Sequence, residues 1–304
     1  MSQHWFFIIN PTSGNRKALP LWNKIQTILD KTDIQYSFEI SKYHQQTIEV
    51  IAEQHQKGTR HFIGLGGDGT INEMVNGIFK SNNTDIDTPP VLGLIPVGTG
   101  NDWVKNHEIL TIENLISRLS NYQTYPHDLG FIKTHTLKHY FINAAGAGLD
   151  GAVSQEIAAI SATGKKNKLS YLTGTIKALF NFNAPETSVT IHNNKNYSNK
   201  VLLTAASIGK YFGSGMLISP TAQYNQGQLN ITIVKKSPIW MILPQLYKIF
   251  NGQIGSVSFV NKYTSKSIQI KTNRPIPVQA DGENLGLHNQ ISISILKHAI
   301  RILG

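Results

Sequence analysis

Between His4 and Pro96 the hydrophobic pattern changes period repeatedly, and this alternation limits the fold more than any other feature of the chain. The run His4-Trp5-Phe6-Phe7-Ile8-Ile9 is short and almost continuously apolar, the pattern of a buried strand. Leu21, Ile25, Ile28 and Leu29 follow on one helical face. Ile34 to Ile40 alternates as a strand, and Ile48, Ile51 and Ala52 mark another helix. His61 to Leu65 predicts a strand, Ile71 to Phe79 a helix, and Val91 to Ile95 a strand ended by Pro96. Strands alternating with helices predict a parallel α/β sheet.

After Leu129 the pattern is different. Ser188 to His192, Val201 to Ser207, Leu229 to Val234 and Ser267 to Lys271 alternate with period two between Asn, Gly and Pro turns. They predict antiparallel strands. Helical stretches interrupt them at Gly151 to Ile160, Leu169 to Phe180 and Pro238 to Phe250. The 304 residues exceed what one hydrophobic core usually organises, so an α/β N-terminal domain and a mostly β second domain are expected.

Composition narrows the setting. Cysteine is absent, which excludes disulfides and thiolate metal sites and fits a reducing cytoplasm. The N-terminus lacks the basic start and cleavage site of a signal peptide. No apolar run approaches the ~20 residues of a membrane span. The longest, Ile239 to Phe250, is interrupted by Pro244, Gln245 and Lys248. A cytoplasmic protein, free or peripheral at the membrane, is expected. The formal charge of +10 favours anionic partners, but no basic run marks a nucleic-acid arm. Trp240, Ile242, Leu243, Tyr247 and Phe250, near Lys248, read either as a salt-sensitive contact with anionic membranes or as a buried helix face.

Chemistry concentrates in four places. Gly64-Leu65-Gly66-Gly67-Asp68-Gly69-Thr70-Ile71-Asn72-Glu73 follows a predicted strand and opens a helix. Glycines there let backbone N–H groups approach a phosphate, and a helix N-terminus favours anions. Residues 64–69 match G-x-G-x-x-G, but they follow the third strand, and Asp68 puts an acid where a pyrophosphate would lie. That acid makes sense if a cation bridges it to phosphate. A second loop, Pro96-Val97-Gly98-Thr99-Gly100-Asn101-Asp102, follows the next strand, and a third, Asn10-Pro11-Thr12-Ser13-Gly14, the first. Loops at the C-terminal ends of parallel strands share a crevice. Taken singly, each reads equally as a capped turn. Finally, Asp281 and Glu283 flank Gly282, where they could accept a proton, hold magnesium, or simply close a hairpin. P-loop and protein-kinase signatures are absent.

Taken together, these segments resemble the diacylglycerol kinase, sphingosine kinase and bacterial lipid kinase family. Its marks are N-P-x-[ST]-G, G-G-D-G-T-x-N-E, G-T-x-N-D and D-G-E, and the chain carries all four in order. Phe141-Ile-Asn-Ala-Ala-Gly-Ala-Gly-Leu-Asp150 looks like the family's opening of its second domain. The resemblance implies an NAD kinase-like fold. Residues 1–129 with about 295–304 would form the nucleotide-binding α/β domain, and 130–294 a β-sandwich-like lipid-substrate domain. It implies ATP and Mg2+ as cofactors and a lipid substrate at a membrane surface, and leaves a homo-oligomer open. Asn10, Pro11, Thr12, Ser13, Gly14, Gly66, Gly67, Asp68, Gly69, Thr70, Ile71, Asn72, Gly98, Thr99 and Asn101 would hold ATP, with Ser41 where the family usually has threonine. Asp68 and Asp128 would arrange magnesium through water, and Asp281 and Glu283, with Asp68, would be catalytic. The family pattern P-x-A-x-x-x-D-G-x-L-[DE] departs here, with Gln226 and Asn230 replacing both acids, so a structural magnesium beside Gln226 is not expected. The alternatives are an NAD kinase-like small-molecule kinase, which shares G-G-D-G-T, and a non-catalytic nucleotide-binding membrane sensor.

Overall fold

In the computed structural model, residues 3–81, 88–97, 101–107, 110–162, 168–191, 195–211, 213 and 215–304 are described, side chains 157–173, 175, 195, 249 and 250 aside. Contacts divide the chain into two compact units, residues 1–129 with 297–304, and residues 130–296.

The first unit alternates strand and helix: β1 (His4–Ile9), α1 (Ser13–Arg16), α2 (Ala18–Leu29), β2 (Gln35–Ile40), α3 (Gln46–Gln56), β3 (His61–Gly66), α4 (Asp68–Lys80), β4 (Val91–Pro96) and α5 (Ile112–Asn121). The strands pair in parallel in the order β4-β3-β1-β2, with Trp5 beside both Tyr36 and His61, and His61 beside Val91. Helices on both faces explain why β1 and β3 are buried nearly end to end. Trp5, Phe7, Ile9, Ile63, Leu65 and Ile95 form the centre of this core. Helix α2 is rotated from the expected face. Trp22, Ile25 and Leu29 are buried, whereas Ile28 is exposed. A large aromatic at Trp22 packs on Phe7 with ring centroids 5.1 Å apart and turns the helix that way. The turn α1 is hardly helical, because Gly14 and Asn15 are left-handed.

The second unit is mostly β. Strand β5 (Thr124–Lys133) runs into it and pairs with β6 (Lys138–Phe141), followed by β7 (Ala144–Gly148). Helices α6 (Leu149–Ala162) and α7 (Lys168–Asn181) come next, then β8 (Glu186–Ile191), β9 (Lys195–Ser207) and β10 (Leu229–Lys235). A helical excursion contains α8 (Ile239–Ile242), a 3-10 turn (Leu243–Gln245) and α9 (Tyr247–Phe250). The expected single helix is broken at Pro244, which has no N–H to donate. Strands β11 (Val260–Ser265), β12 (Ser267–Ala280) and β13 (Glu283–Leu303) complete the chain, and the end of β13 pairs in parallel with β4 in the first unit's sheet (Arg301 beside Val91). Within the unit the pairing is antiparallel. Strand β12 pairs with β8 over Ile268–Thr272 and with β7 over Val278–Ala280, and β9 likewise pairs with β8 and then with β7. Strands that change partner midway form the corners of a sandwich. The core between them includes Phe141, Val189, Ile231, Ile268, Val278 and Ile291.

Candidate functional site

Three loops leave the C-terminal ends of neighbouring strands β1, β3 and β4, and they interlock. The backbone N–H of Asn10 donates to the Leu65 carbonyl at 3.0 Å, and that of Val97 to the Gly66 carbonyl at 2.7 Å. Asn10 Oδ1 accepts the N–H of Thr12 at 3.1 Å and its hydroxyl at 2.8 Å, which turns the chain sharply after β1. Gly14, with φ 61°, lies against Val97 so closely that a Cβ would come 2.6 Å from a Val97 methyl. Ser41 is buried at the end of β2, its N–H donating to the Ile9 carbonyl at 2.9 Å.

The glycines of the central loop have different tasks. A Cβ at Gly66 would lie 2.0 Å from Thr70 Oγ1, so packing alone demands glycine there. Among the described residues, a Cβ at Gly67 would meet only Asn101 Oδ1, at 3.3 Å, and one at Gly69 nothing within 4 Å. Among the described residues, little crowds the backbone at Gly67 and Gly69, at the N-terminus of a 13-residue helix. First-turn N–H groups lack intrahelical acceptors, and the helix dipole favours an anion beside them. The side chains of Thr70, Ile71 and Asn72 are buried beneath this loop. Asn72 accepts a hydrogen bond from Asn76 Nδ2 at 3.1 Å. These three residues build the platform rather than its exposed surface. Gly98 and Thr99 lie outside the described residues. Asn101 is described and takes a left-handed φ of 41°.

Asp68 ties the second loop to the first. Its Oδ2 accepts the N–H of Asp102 at 2.8 Å and its Oδ1 that of Trp103 at 2.9 Å. Burial raises its pKa, and the two N–H donors oppose that shift. A carboxylate offers about four acceptor positions, so two remain for metal-bound water. Trp103 is held in turn through its Nε1–H, which donates to His127 Nε2 at 3.2 Å. Burial pushes the His127 pKa down to about 3, which keeps that ring neutral and able to accept. Asp128 fits a magnesium role less well. Its side chain is 0% exposed, and its Oδ1 accepts the N–H of His298, a residue with φ 53° in the final strand. A hydrated ion cannot reach so buried a carboxylate without opening the core, and the carboxylate fixes a strained backbone instead. No group of three metal-ligating side chains occurs among the described residues.

In the second unit, Asp281 and Gly282 form a two-residue hairpin loop between the paired Ala280 and Glu283. Their φ angles, 47° and 86°, are both left-handed, as a type I′ turn requires. The Asp281 carboxylate is clamped by three backbone N–H groups, from Ile142 at 2.7 Å, Asn143 at 3.0 Å and Ala144 at 2.9 Å. Its own N–H donates to the Ala144 carbonyl at 2.8 Å. Asp281 thus fastens the hairpin to the start of β7. Glu283 is 34% exposed at its side chain, with Oε2 3.9 Å from His139 Nε2. Burial lowers the His139 pKa to about 4, so at neutral pH this histidine is no cation.

A buried support under the hairpin escaped the sequence reading. Gln279 Oε1 accepts the N–H of Gly282 at 2.8 Å, while its Nε2 donates to Asp150 Oδ2 at 2.6 Å. Gly146 leaves the space that the Asp150 carboxyl fills. Burial pushes the Asp150 pKa up to about 7, against a smaller opposing pull from Gln279. An acid whose folded pKa is raised is neutral in the native chain while ionised in the unfolded one, so it removes stability as pH rises from about 4 to about 7. Asp150→Asn is expected to flatten the stability curve over that window, by at most ~1.4 kcal/mol per pH unit. Urea unfolding at pH 5 and pH 7.5 checks it, and identical pH dependence in variant and wild type would sink it.

The family described as "Diacylglycerol kinase catalytic domain" matches residues 4–132. "YegS C-terminal NAD kinase beta sandwich-like domain" matches residues 143–304. Similar proteins include "Putative lipid kinase YtlR" of Bacillus subtilis, 27% identical over 93% of this chain and 94% of that protein. A "Putative lipid kinase" of Staphylococcus aureus (strain Mu3) is 26% identical over 87% of this chain and 83% of its own length. The crystal structure titled a putative diacylglycerol kinase from Bacillus anthracis superposes with a TM-score of 0.80, at 22% identity, covering 99% and 95% of the two chains. An NAD kinase from Archaeoglobus fulgidus in complex with ATP superposes with a TM-score of 0.54 at 10% identity, covering 99% and 93%, a likeness of fold alone. With both halves matched in order, the chain belongs to the lipid kinase family that joins a diacylglycerol kinase catalytic domain to a YegS-type, NAD kinase-like β-sandwich.

Proposed function

We propose that this protein transfers the γ-phosphoryl group of ATP to the hydroxyl of a membrane lipid, with diacylglycerol or a related lipid as acceptor. The observation that carries the reading is the backbone at Gly67 and Gly69, uncrowded by the described residues at the start of α4, with Asp68 bracing it against the loop after β4. The helix N-terminus binds phosphate oxygens, and Asn10, Thr12 and Asn101 border the same loops. Magnesium would be held through water on Asp68 and would neutralise charge on the phosphates. Glu283 takes the proton from the lipid hydroxyl as its oxygen bonds to phosphorus and the bond to ADP breaks. Asp281, bound to three N–H groups, positions that hairpin. The β-sandwich unit presents the lipid.

A panel of lipids in mixed micelles with labelled ATP tests this, with NAD as a separate acceptor. Label is expected in a lipid phosphate, led by diacylglycerol among diacylglycerol, monoacylglycerol, phosphatidylglycerol and sphingoid bases, and not in NAD. Labelled NAD phosphate with no labelled lipid would establish the NAD kinase-like alternative. ATP binding without turnover on any acceptor would establish a sensor.

A further inference from the structure

The charge of the chain is not evenly spread. Residues 187–280 contain ten of its 28 basic residues and none of its 18 acids. The remainder holds 18 of each sign and is formally neutral, so the whole surplus of +10 belongs to one stretch of the second unit. Within that stretch lies the excursion between β10 and β11. Its helical run splits by face. Ile242 is buried and packs with Ile254 and Val257, with Ile239 and Leu246 partly buried against them, so the segment is anchored. Trp240, Leu243 and Tyr247, one in each of its three short pieces, are exposed. Trp240 is 72% exposed and Tyr247 56%. Phe180, at the end of α7, is 61% exposed and lines a hollow of about 340 Å³ together with Lys236, Ile239 and Ile242. Exposed tryptophan, tyrosine and leucine beside lysines in a chain segment free of acids, with Phe180 exposed by the adjoining hollow, are placed as for the interface of a bilayer.

We infer that Phe180, Trp240, Leu243 and Tyr247 form a docking face for an anionic phospholipid membrane. Aromatic rings with polar edges sit at headgroup depth, and the lysines are drawn to the negative surface potential. The inference goes beyond the catalytic reading and stands without it, because docking needs no nucleotide and no turnover. Of the two openings that sequence left for this segment, the structure buries Ile242 and exposes Trp240, Leu243 and Tyr247; the Phe250 side chain lies outside the described residues.

The fluorescence of the chain suits the test. Of its four tryptophans, Trp5, Trp22 and Trp103 are buried and only Trp240 is exposed. The full-length protein, without ATP, is titrated with vesicles of phosphatidylcholine alone and with about 30% phosphatidylglycerol. Expected are a blue shift of emission and sedimentation with the anionic vesicles only, weakened at least several-fold when salt is raised to about 0.5 M. Trp240→Ser with Tyr247→Ser is expected to lower vesicle partition about tenfold or more, and Lys236→Glu to lower it severalfold, while thermal unfolding is unchanged. Unshifted emission, or a double variant that sediments like wild type, would overturn the inference. So would concentration-dependent self-association that the double variant loses without any vesicle binding, since the face would then belong to a second copy of the chain.

Discussion

Gly67→Val is expected to abolish ATP binding and leave the fold intact. Gly67 has φ −125° and ψ −161°, an extended conformation that valine adopts readily. Among the described residues its Cβ would meet only Asn101 Oδ1, at 3.3 Å, which a small side-chain adjustment accommodates. The two methyl groups would then occupy the open space over the first turn of α4, where phosphate must come within hydrogen-bond distance of backbone N–H. At least a hundredfold rise in the ATP dissociation constant is expected, which corresponds to about 2.7 kcal/mol. Gly66→Ala makes the opposite control. Its Cβ would lie 2.0 Å from Thr70 Oγ1, so overpacking should cost about 1–3 kcal/mol of stability before binding is considered. Calorimetric titration with ATP and thermal unfolding on both variants separate the two effects. Unchanged ATP affinity in folded Gly67→Val would overturn the loop's assignment.

What was legible in the sequence was local. The continuous apolar run of β1 announced a strand buried on both faces, and Trp5 to Ile9 are so buried. The glycine-rich segment announced a strand-to-helix junction, and β3 and α4 meet at Gly67. Less was legible where distant partners decide the outcome. Strand β13 runs from Glu283 to Leu303, and its left-handed His298 is held by Asp128, 170 positions earlier. No spacing in the sequence reveals that pairing. The same holds for Asp150 and Gln279, 129 positions apart, which brace the hairpin from beneath. The stretch Pro238 to Phe250 looked like one helix because its apolar residues recur at helical spacing. Pro244 broke the hydrogen-bond ladder, and the short pieces that remain turn different residues outward.

The two acids of the hairpin illustrate the limit most clearly. D-G-E reads as a pair of equivalent candidates, because sequence shows their proximity and not their partners. The structure makes them unequal. Three N–H donors converge on Asp281 from Ile142, Asn143 and Ala144, more than 130 positions away. A carboxylate so engaged is a fastening. Glu283 begins the next strand, keeps a side chain partly open to solvent, and has a neutral histidine as neighbour.

Asp281→Asn and Glu283→Gln should therefore fail in different ways. Asparagine keeps the shape and tolerates the left-handed φ of 47°, so the backbone conformation itself is not at stake. It offers one acceptor oxygen, however, and turns an NH2 group toward N–H donors that had faced an oxygen. Leaving one or two such donors without an acceptor costs about 1–3 kcal/mol each. Asp281→Asn is expected to lower stability by roughly 2–4 kcal/mol and to lose activity as the hairpin loosens. Glu283→Gln leaves the three N–H bonds to Asp281 and the Gln279 bond to Gly282 in place, so unfolding should be nearly unchanged. If Glu283 accepts the lipid proton as proposed, kcat should fall about 10²–10⁴-fold. ATP affinity should stay nearly constant in Glu283→Gln, because the proposed nucleotide contacts are the glycine-rich loop and its neighbours and not Glu283. Urea unfolding, ATP titration and kcat on the lipid found by the panel, measured for both variants, complete the test. If Glu283→Gln keeps near-normal kcat, the proton acceptor lies elsewhere. If Asp281→Asn keeps its stability while kcat collapses, the two roles are exchanged and the clamp on Asp281 is a way of aiming a base.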